Sequence, residues 1–267
     1  RIETRAELPV AFEDVCRDIA HTVPHEFRTP VLQAFTSEQA NLLLEEYLAP
    51  AQRLARQGLG RVGIELLVQN GQVKFFAMAD GECVSATDHR YASLSFPSRL
   101  DAQDQQAFRD LANQVVHAFG LSDGPVILDA VMTDKGPQLY EVNARMEGAM
   151  ILPVIERCYG VDMVEQALRI AAGLPVDLDA AETPKWAGSV FLALAGSRSR
   201  VVSIDLPEFD SDDCECSVSL QKSPGDEVSG PEAPYDTLGV VTITGPNRDA
   251  VDRCLHSYRS NMAIELQ

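Results

Sequence analysis

Residues 62–81, VGIELLVQNGQVKFFAMADG, constrain the fold more than any other stretch of this chain. Two apolar, alternating runs flank the pair Asn70-Gly71. Asn-Gly readily adopts the positive φ values that a two-residue hairpin turn requires. The stretch therefore predicts a β-hairpin with its turn at Asn70-Gly71.

A second hairpin is predicted over residues 124–145, where GPVILDAVMT and PQLYEVNAR flank the turn Asp134-Lys135-Gly136. Between the two hairpins, residues 101–121 carry apolar side chains at helical spacing, with Asp101 as a plausible N-cap and Gly120 as the terminator. Two antiparallel hairpins and an intervening helix predict an α+β fold with an antiparallel sheet flanked by helices.

Helices and strands are also predicted toward both ends of the chain. Residues 7–21 read as an amphipathic helix, and residues 149–173 as two helices broken at Tyr159-Gly160. After the acidic, proline-flanked stretch 174–184, four apolar runs and one more helix predict a small α+β lobe. We therefore expect two domains, residues 1–175 and 185–267.

Composition and charge narrow the function classes. Forty acidic and 22 basic residues give a formal charge of −18, which repels phosphate backbones and argues against a nucleic-acid partner. No apolar run is long enough to span a bilayer, and the first residues lack the features of a secretory signal. We expect a cytoplasmic protein without a membrane partner, whose six cysteines are reduced thiols.

Residues 140–148, YEVNARMEG, place polar groups at every second position of a predicted strand, so Glu141, Asn143 and Arg145 share one face. If the turn is a three-residue loop, Thr133 pairs with Pro137 and Asp129 lies opposite Glu141. A two-residue loop would put Glu141 on the other face. Glycine at 136 suits the left-handed position of the three-residue loop, which favours the first register.

Two facing carboxylates destabilise a sheet unless a cation lies between them. Asp129, Glu141 and Asn143 offer only oxygen ligands, which favour Mg²⁺ or Mn²⁺ over zinc. Magnesium with so few protein ligands normally keeps substrate phosphates in its shell, so the pattern indicates a nucleotide, with Arg145 close to its negative charge. The alternative is that these polar residues form an ordinary solvated strand end.

The order of these motifs resembles the C-terminal part of ATP-grasp ligases. In that family an acid on one strand and an E-x-N-x-R string on the next hold magnesium ions against ATP. The resemblance implies metal ligands at Asp129, Glu141 and Asn143, and a catalytic arginine at Arg145. The downstream segment YGVDMVEQALRIAAGLP matches in order, and the tail from Gly225 resembles the C-terminal lobe of biotin carboxylase.

LLLEEYL, residues 42–48, resembles the hinge strand that holds the adenine in this family. The resemblance implies that four hinge residues bind the nucleotide, and that one acid on the next strand lies near the ribose or phosphates. The four hinge residues are Glu45, Glu46, Tyr47 and Leu48, and the acid is Glu65. An ordinary sheet strand is the alternative for residues 42–48.

Two departures from the family pattern are visible. The family's two lysines and glycine-rich loop lie before the hinge strand, yet no lysine precedes residue 42 here, so we expect a segment of a longer polypeptide. Glu147 stands where relatives commonly have glycine, which adds negative charge beside the phosphates.

The resemblance implies an enzyme, an ATP-dependent carboxylate–amine ligase of the carnosine synthase and L-amino-acid ligase branch. Such an enzyme uses ATP and Mg²⁺ or Mn²⁺ to form an acyl phosphate, which an amine then attacks to give an amide or dipeptide bond. The implied partners are a small-molecule carboxylate and an amine, and a homo-oligomer is compatible with the pattern. The alternatives are a degenerate, non-catalytic ATP-grasp scaffold and a carboxylase-type subunit.

Overall fold

A computed structural model describes residues 46–83, 91–148, 151–178, 185–192, 197–208, 214–229 and 236–267. The strands in these ranges are β1 (Arg61–Gln69), β2 (Gln72–Cys83), β3 (Tyr91–Phe96), β4 (Gly124–Thr133), β5 (Gly136–Asn143), β6 (Trp186–Leu192), β7 (Ser199–Asp205), β8 (Glu215–Leu220), β9 (Glu227–Val228), β10 (Gly239–Gly245) and β11 (Ala263–Leu266). The helices are α1 (Gln52–Ala55), α2 (Ala102–Ala118), α3 (Leu152–Tyr159), α4 (Met163–Ala171) and α5 (Arg248–Asn261).

Eight strands form one sheet in the order β5-β4-β1-β2-β3-β6-β10-β8, and β11-β7-β9 form a second sheet. Every described strand pair is antiparallel. The prediction of an α+β fold with an antiparallel sheet flanked by helices is therefore confirmed. Strands β5 and β8 are the two edges of the large sheet.

The two faces of β1, β2 and β4 bury different side chains, as the alternation along a strand requires. Ile64, Leu66 and Leu128 pack with α2 residues such as Phe108 on one face. On the opposite face, Ala77 and its neighbours pack with α3 and α4. Toward the β1–β4–β5 edge this second face carries the polar residues described below.

Local sequence signals placed several elements correctly. The first hairpin turns at Asn70 and Gly71, whose φ values are 54° and 70°. Asp101 caps α2 by accepting a hydrogen bond from the backbone N–H of Asp104 at 2.8 Å, and Gly120 follows that helix with a φ of 63°. Gly160 has a φ of 68° and separates α3 from α4, as predicted.

Other predictions were incomplete or fall outside the described residues. Strand β3 was missed, because its residues were interpreted as part of a loop and a turn. Of the predicted hinge strand, residues 46–48 are described and lie outside any helix or strand. The predicted helix over residues 7–21 lies outside the described part of the chain.

The large sheet runs through the region where the two-domain boundary was predicted. Strand β3 pairs with β6, with Leu94 opposite Ser189, so strands from before residue 175 and after residue 185 share one sheet. The boundary itself stays a prediction. None of the described helices is long and apolar enough to cross a membrane.

Candidate functional site

A β-bulge in the β4–β5 hairpin brings two carboxylates opposite each other. The hairpin loop is Asp134-Lys135, with Thr133 paired to Gly136, so the predicted three-residue loop is wrong. The register shifts between Asp129 and Ala130, because Ala130 pairs with Leu139 while Asp129 pairs with Glu141. Tyr140 is therefore an extra residue, and the bulge restores the predicted pairing that a two-residue loop would otherwise have lost.

The three predicted metal ligands lie at this bulge. Asn143 donates a hydrogen bond through Nδ2 to Glu141 Oε1 at 2.8 Å, which orients both side chains on the exposed edge strand. Asp129 is partly buried, and its Oδ1 accepts a hydrogen bond from the Tyr91 hydroxyl at 3.2 Å. The arrangement leaves carboxylate oxygens on both strands available to a cation.

Glu65 is a buried carboxylate on the same face of the sheet. It pairs with Ile127 of β4, which pairs with Asn143 of β5, so these three side chains form one row across three strands. Glu65 is 3% exposed, and its Oε2 has no hydrogen-bond partner. An unpaired carboxylate in this environment is costly, and burial together with the charges of Glu147 and Asp129 raises the pKa of Glu65 to about 8.

Asp129 shows the same electrostatic conflict in a weaker form. Burial, followed by the charge of Glu141 across the bulge, raises its pKa to about 6, although the Tyr91 hydrogen bond and the charge of Arg145 oppose the shift. Carboxylates that repel each other in a partly buried setting favour a bound cation. The raised pKa values therefore mark this face as a candidate cation site.

Arg145 and Glu147 lie in the loop after β5. The Arg145 guanidinium is exposed and donates to the backbone carbonyl of Met146 at 3.0 Å. Its positive charge still lowers the pKa of both Glu65 and Asp129, which places the guanidinium near the carboxylates. Glu147 adds a further negative charge that acts on the same two groups.

Two tyrosines and one arginine complete the site and were missed by sequence reasoning. The hydroxyls of Tyr91 and Tyr140 lie 3.2 Å apart. Arg61 on β1 donates from Nη2 to the Tyr47 hydroxyl at 3.2 Å, and its positive charge opposes the rise that burial causes in the pKa of Tyr140. The available signals were Gly81 within a strand, which indicates a close approach by another group, and the alternating run YASLSF.

Among the described hinge residues, Tyr47 contacts the site through Arg61. Glu45 lies outside the described residues. Glu46 is exposed, and Leu48 is partly buried. The Tyr47 ring lies 5.6 Å from the Arg61 guanidinium carbon, so Tyr47 is the hinge residue that the structure connects to the cluster.

The donor set fits a hard divalent cation assisted by phosphate. Asp129, Glu141 and Asn143 supply oxygen ligands, and Glu65 Oε2 is a buried oxygen without a partner. Within the described ranges, no three Asp, Glu, His or Cys side chains form a group that could hold a metal ion by themselves. Phosphate oxygens and water would therefore have to complete the shell, as is usual for Mg²⁺.

Comparisons with known proteins agree with the α+β fold described above. No family model matches the chain. An uncharacterized protein of Sinorhizobium fredii is 23% identical over 167 residues, which are 61% of this chain and 34% of that protein. Carnosine synthase 1 of Gallus gallus is 24% identical over 139 residues, which are 52% of this chain and 15% of that protein. The chain thus spans about a third or less of these relatives.

Three solved structures superpose well on the chain. Phosphoribosylglycinamide synthetase from Anaerococcus prevotii has a TM-score of 0.68 at 15% identity, over 83% of this chain and 55% of that one. L-amino acid ligase from Bacillus licheniformis has a TM-score of 0.65 at 16% identity, over 79% and 52%. The biotin carboxylase domain of Hydrogenobacter thermophilus 2-oxoglutarate carboxylase, solved with MgADP and bicarbonate, has a TM-score of 0.57 at 17% identity, over 79% and 47%.

These structures are ligases and carboxylases of the kind that the sequence resembles. The chain therefore has the ATP-grasp fold, and its partial coverage of each neighbour fits the C-terminal portion of that fold. At these identities the likeness establishes the fold and leaves the reaction to be argued from the site.

Proposed function

We propose that this chain is the metal- and phosphate-binding part of an ATP-dependent carboxylate–amine ligase. One observation carries the proposal: three carboxylates, at Asp129, Glu141 and Glu65, share one face of the sheet, and the two most buried have raised pKa values. The likeness of the fold to a biotin carboxylase domain that was solved with MgADP supports a magnesium nucleotide as the ligand. The magnesium ion of such a nucleotide would supply the positive charge that offsets the repulsion among these carboxylates.

The roles follow from position and chemistry. Asp129, Glu141 and Asn143 would hold a divalent ion, which offsets charge on the phosphates when bound. Glu65 would lie beneath the ribose or phosphates, and Arg145 would pair with negative charge on the transferred phosphoryl group. Glu46, Tyr47 and Leu48 remain the proposed adenine-side residues, together with Glu45.

The proposed reaction has two steps. A substrate carboxylate attacks the γ-phosphorus of ATP, which forms an acyl phosphate and releases ADP. An amine then attacks the acyl carbon, phosphate leaves, and an amide bond results. The likeness to carnosine synthase and to an L-amino acid ligase supports amino acids or similar small molecules as the carboxylate and amine.

Glu141→Gln in the full-length protein tests the proposal. It keeps the shape of the side chain but removes the charge facing Asp129, so phosphate release from ATP should fall at least about 100-fold. Phosphate release is measured with a panel of carboxylates and amines. Glu215→Gln is the matched control, because Glu215 is an exposed acid on β8, the opposite edge strand of the same sheet.

Three outcomes distinguish an active ligase from a wrong metal assignment and from a non-catalytic scaffold. Loss of turnover in Glu141→Gln with normal turnover in Glu215→Gln supports the ligase. Wild-type turnover in Glu141→Gln contradicts the metal assignment. A wild-type protein that binds Mg·ATP but releases no phosphate with any pair of substrates would instead favour a non-catalytic scaffold.

A further inference from the structure

Tyr91 is a strand residue whose hydroxyl contacts the candidate metal site through Asp129. It begins β3 and pairs with Cys83 of β2. Its ring lies against Gly81, where an added Cβ would be 2.3 Å from Tyr91 Cε1 and 2.8 Å from Cδ1. The absence of a side chain at Gly81 therefore leaves the space that the Tyr91 ring occupies while its hydroxyl reaches Asp129.

The hydrogen bonds around Tyr91 have one consistent direction. The Tyr91 hydroxyl has a single proton, which it donates to Asp129 Oδ1. In the contact between the two phenols, Tyr140 must therefore be the donor and Tyr91 the acceptor. The positive charge of Arg61 also acts on Tyr140 and opposes the rise that burial causes in its pKa. The chain of donors runs from Tyr140 through Tyr91 to the carboxylate of Asp129.

We propose that Tyr91 is a positioning residue that holds Asp129 in the orientation needed to bind a divalent cation, with the Tyr140 hydroxyl as its own donor. This inference rests on the proposed function, because it assumes that Asp129 is a metal ligand. The Tyr91 hydrogen bond occupies Oδ1, so Oδ2 is the oxygen that would bind the cation. The bulge at Tyr140 has two consequences. It brings Asp129 opposite Glu141, and it supplies the hydroxyl that donates to Tyr91.

The orientation of Asp129 should matter for cation binding because Mg²⁺ demands near-ideal octahedral geometry and tolerates misplaced ligands poorly. Hydrogen bonds to a ligand from outside the metal shell fix its rotamer and its basicity, and their removal typically costs 10–100-fold in metal affinity. Tyr91→Phe deletes the hydroxyl while keeping the ring over Gly81. We expect the Kd for Mn²⁺ in the presence of ADP to rise about 10-fold or more.

The experiment measures Mn²⁺ binding to the full-length protein with ADP present, by electron paramagnetic resonance, for the wild type and for Tyr91→Phe. Tyr258→Phe is the control, because Tyr258 is a buried tyrosine of α5 in the separate core formed with β6 and β10. The KM for Mg²⁺ and the kcat for phosphate release are measured in parallel. A rise in the KM for Mg²⁺, with kcat recovered at saturating Mg²⁺, is the signature of a positioning role.

The outcomes distinguish this inference from the proposed function. A wild-type protein that does not bind Mn²⁺ with ADP overturns the proposed function. Wild-type binding together with an unchanged Kd in Tyr91→Phe, or a kcat that excess Mg²⁺ does not restore, overturns the inference alone. If Tyr91→Phe does not fold, Tyr140→Phe replaces it, since it removes the donor to Tyr91, and an unchanged Kd there overturns the inference equally.

Discussion

Glu65 makes the stability of this protein depend on pH in a direction opposite to that of most carboxylates. The folded protein keeps the proton on Glu65 up to about pH 8, while the ordinary value of 4.5 applies once the chain unfolds. Between these two values the folded state binds more protons than the unfolded state. Stability should therefore fall as pH rises through this window, when no metal or nucleotide is bound.

The magnitude follows from the pKa difference and from burial. Raising the pH from 4.5 to 7, at about 1.36 kcal/mol per pH unit, corresponds to about 3 kcal/mol for this single group. Glu65 is 3% exposed, so solvent screening reduces this value little. A loss of about 3 kcal/mol is large against a typical domain stability of about 5–15 kcal/mol.

Glu65→Gln tests this reasoning because glutamine resembles the protonated acid and cannot ionise. Urea denaturation between pH 5 and pH 8, followed by circular dichroism, gives the free energy of unfolding of each protein. The wild type should lose stability across the range, and between pH 5 and pH 7 it should lose about 2.5 kcal/mol more than Glu65→Gln. Glu82→Gln is the control, because the Glu82 side chain is 63% exposed. If the free energies of unfolding of the wild type and Glu65→Gln changed with pH in parallel, the reasoning would be refuted.

Two further predictions concern stability. Asp80 accepts hydrogen bonds from Ser98 Oγ at 2.5 Å and from Arg248 Nη2 at 3.4 Å, and its side chain is 6% exposed. Asp80→Asn should therefore cost about 1–3 kcal/mol in the free energy of unfolding, because it removes a buried charge that pairs with Arg248, although Arg248 keeps its ion pair with Asp252. Gly71→Ala should cost about 1 kcal/mol, since Gly71 has a φ of 70° and open space around it. Gly148→Ala, in open space without a positive φ, should cost less by the same urea assay, and equal costs would contradict the backbone argument.

Features governed by neighbouring residues were predictable from the sequence. The turn at Asn70-Gly71, the cap at Asp101 and the helix break at Gly160 depend on backbone preferences of one or two residues. The alternation in residues 140–148 likewise predicted that Glu141 and Asn143 share a face, and their hydrogen bond agrees with this.

The register of the second hairpin shows where local reasoning failed. Glycine at 136 suggested a three-residue loop, but the loop has two residues and Thr133 pairs with Gly136. The predicted Asp129–Glu141 pairing nevertheless holds, because the bulge at Tyr140 compensates by one residue. A bulge depends on how the edge strand packs against its partner and on Tyr140 reaching Tyr91, and neither is a property of the turn.

The sequence by itself determined the types of side chain, the strand and helix periodicities and the turns, because these depend on residues close together in the chain. Only the tertiary structure decided that Glu65 is buried without a partner and that Tyr91 reaches Asp129, which lies 38 residues away. Burial and long-range hydrogen bonds depend on strand order. Here β1 and β2 separate β4 from β3 in the sheet, and Gly81 leaves the space in which the Tyr91 ring lies as it reaches Asp129.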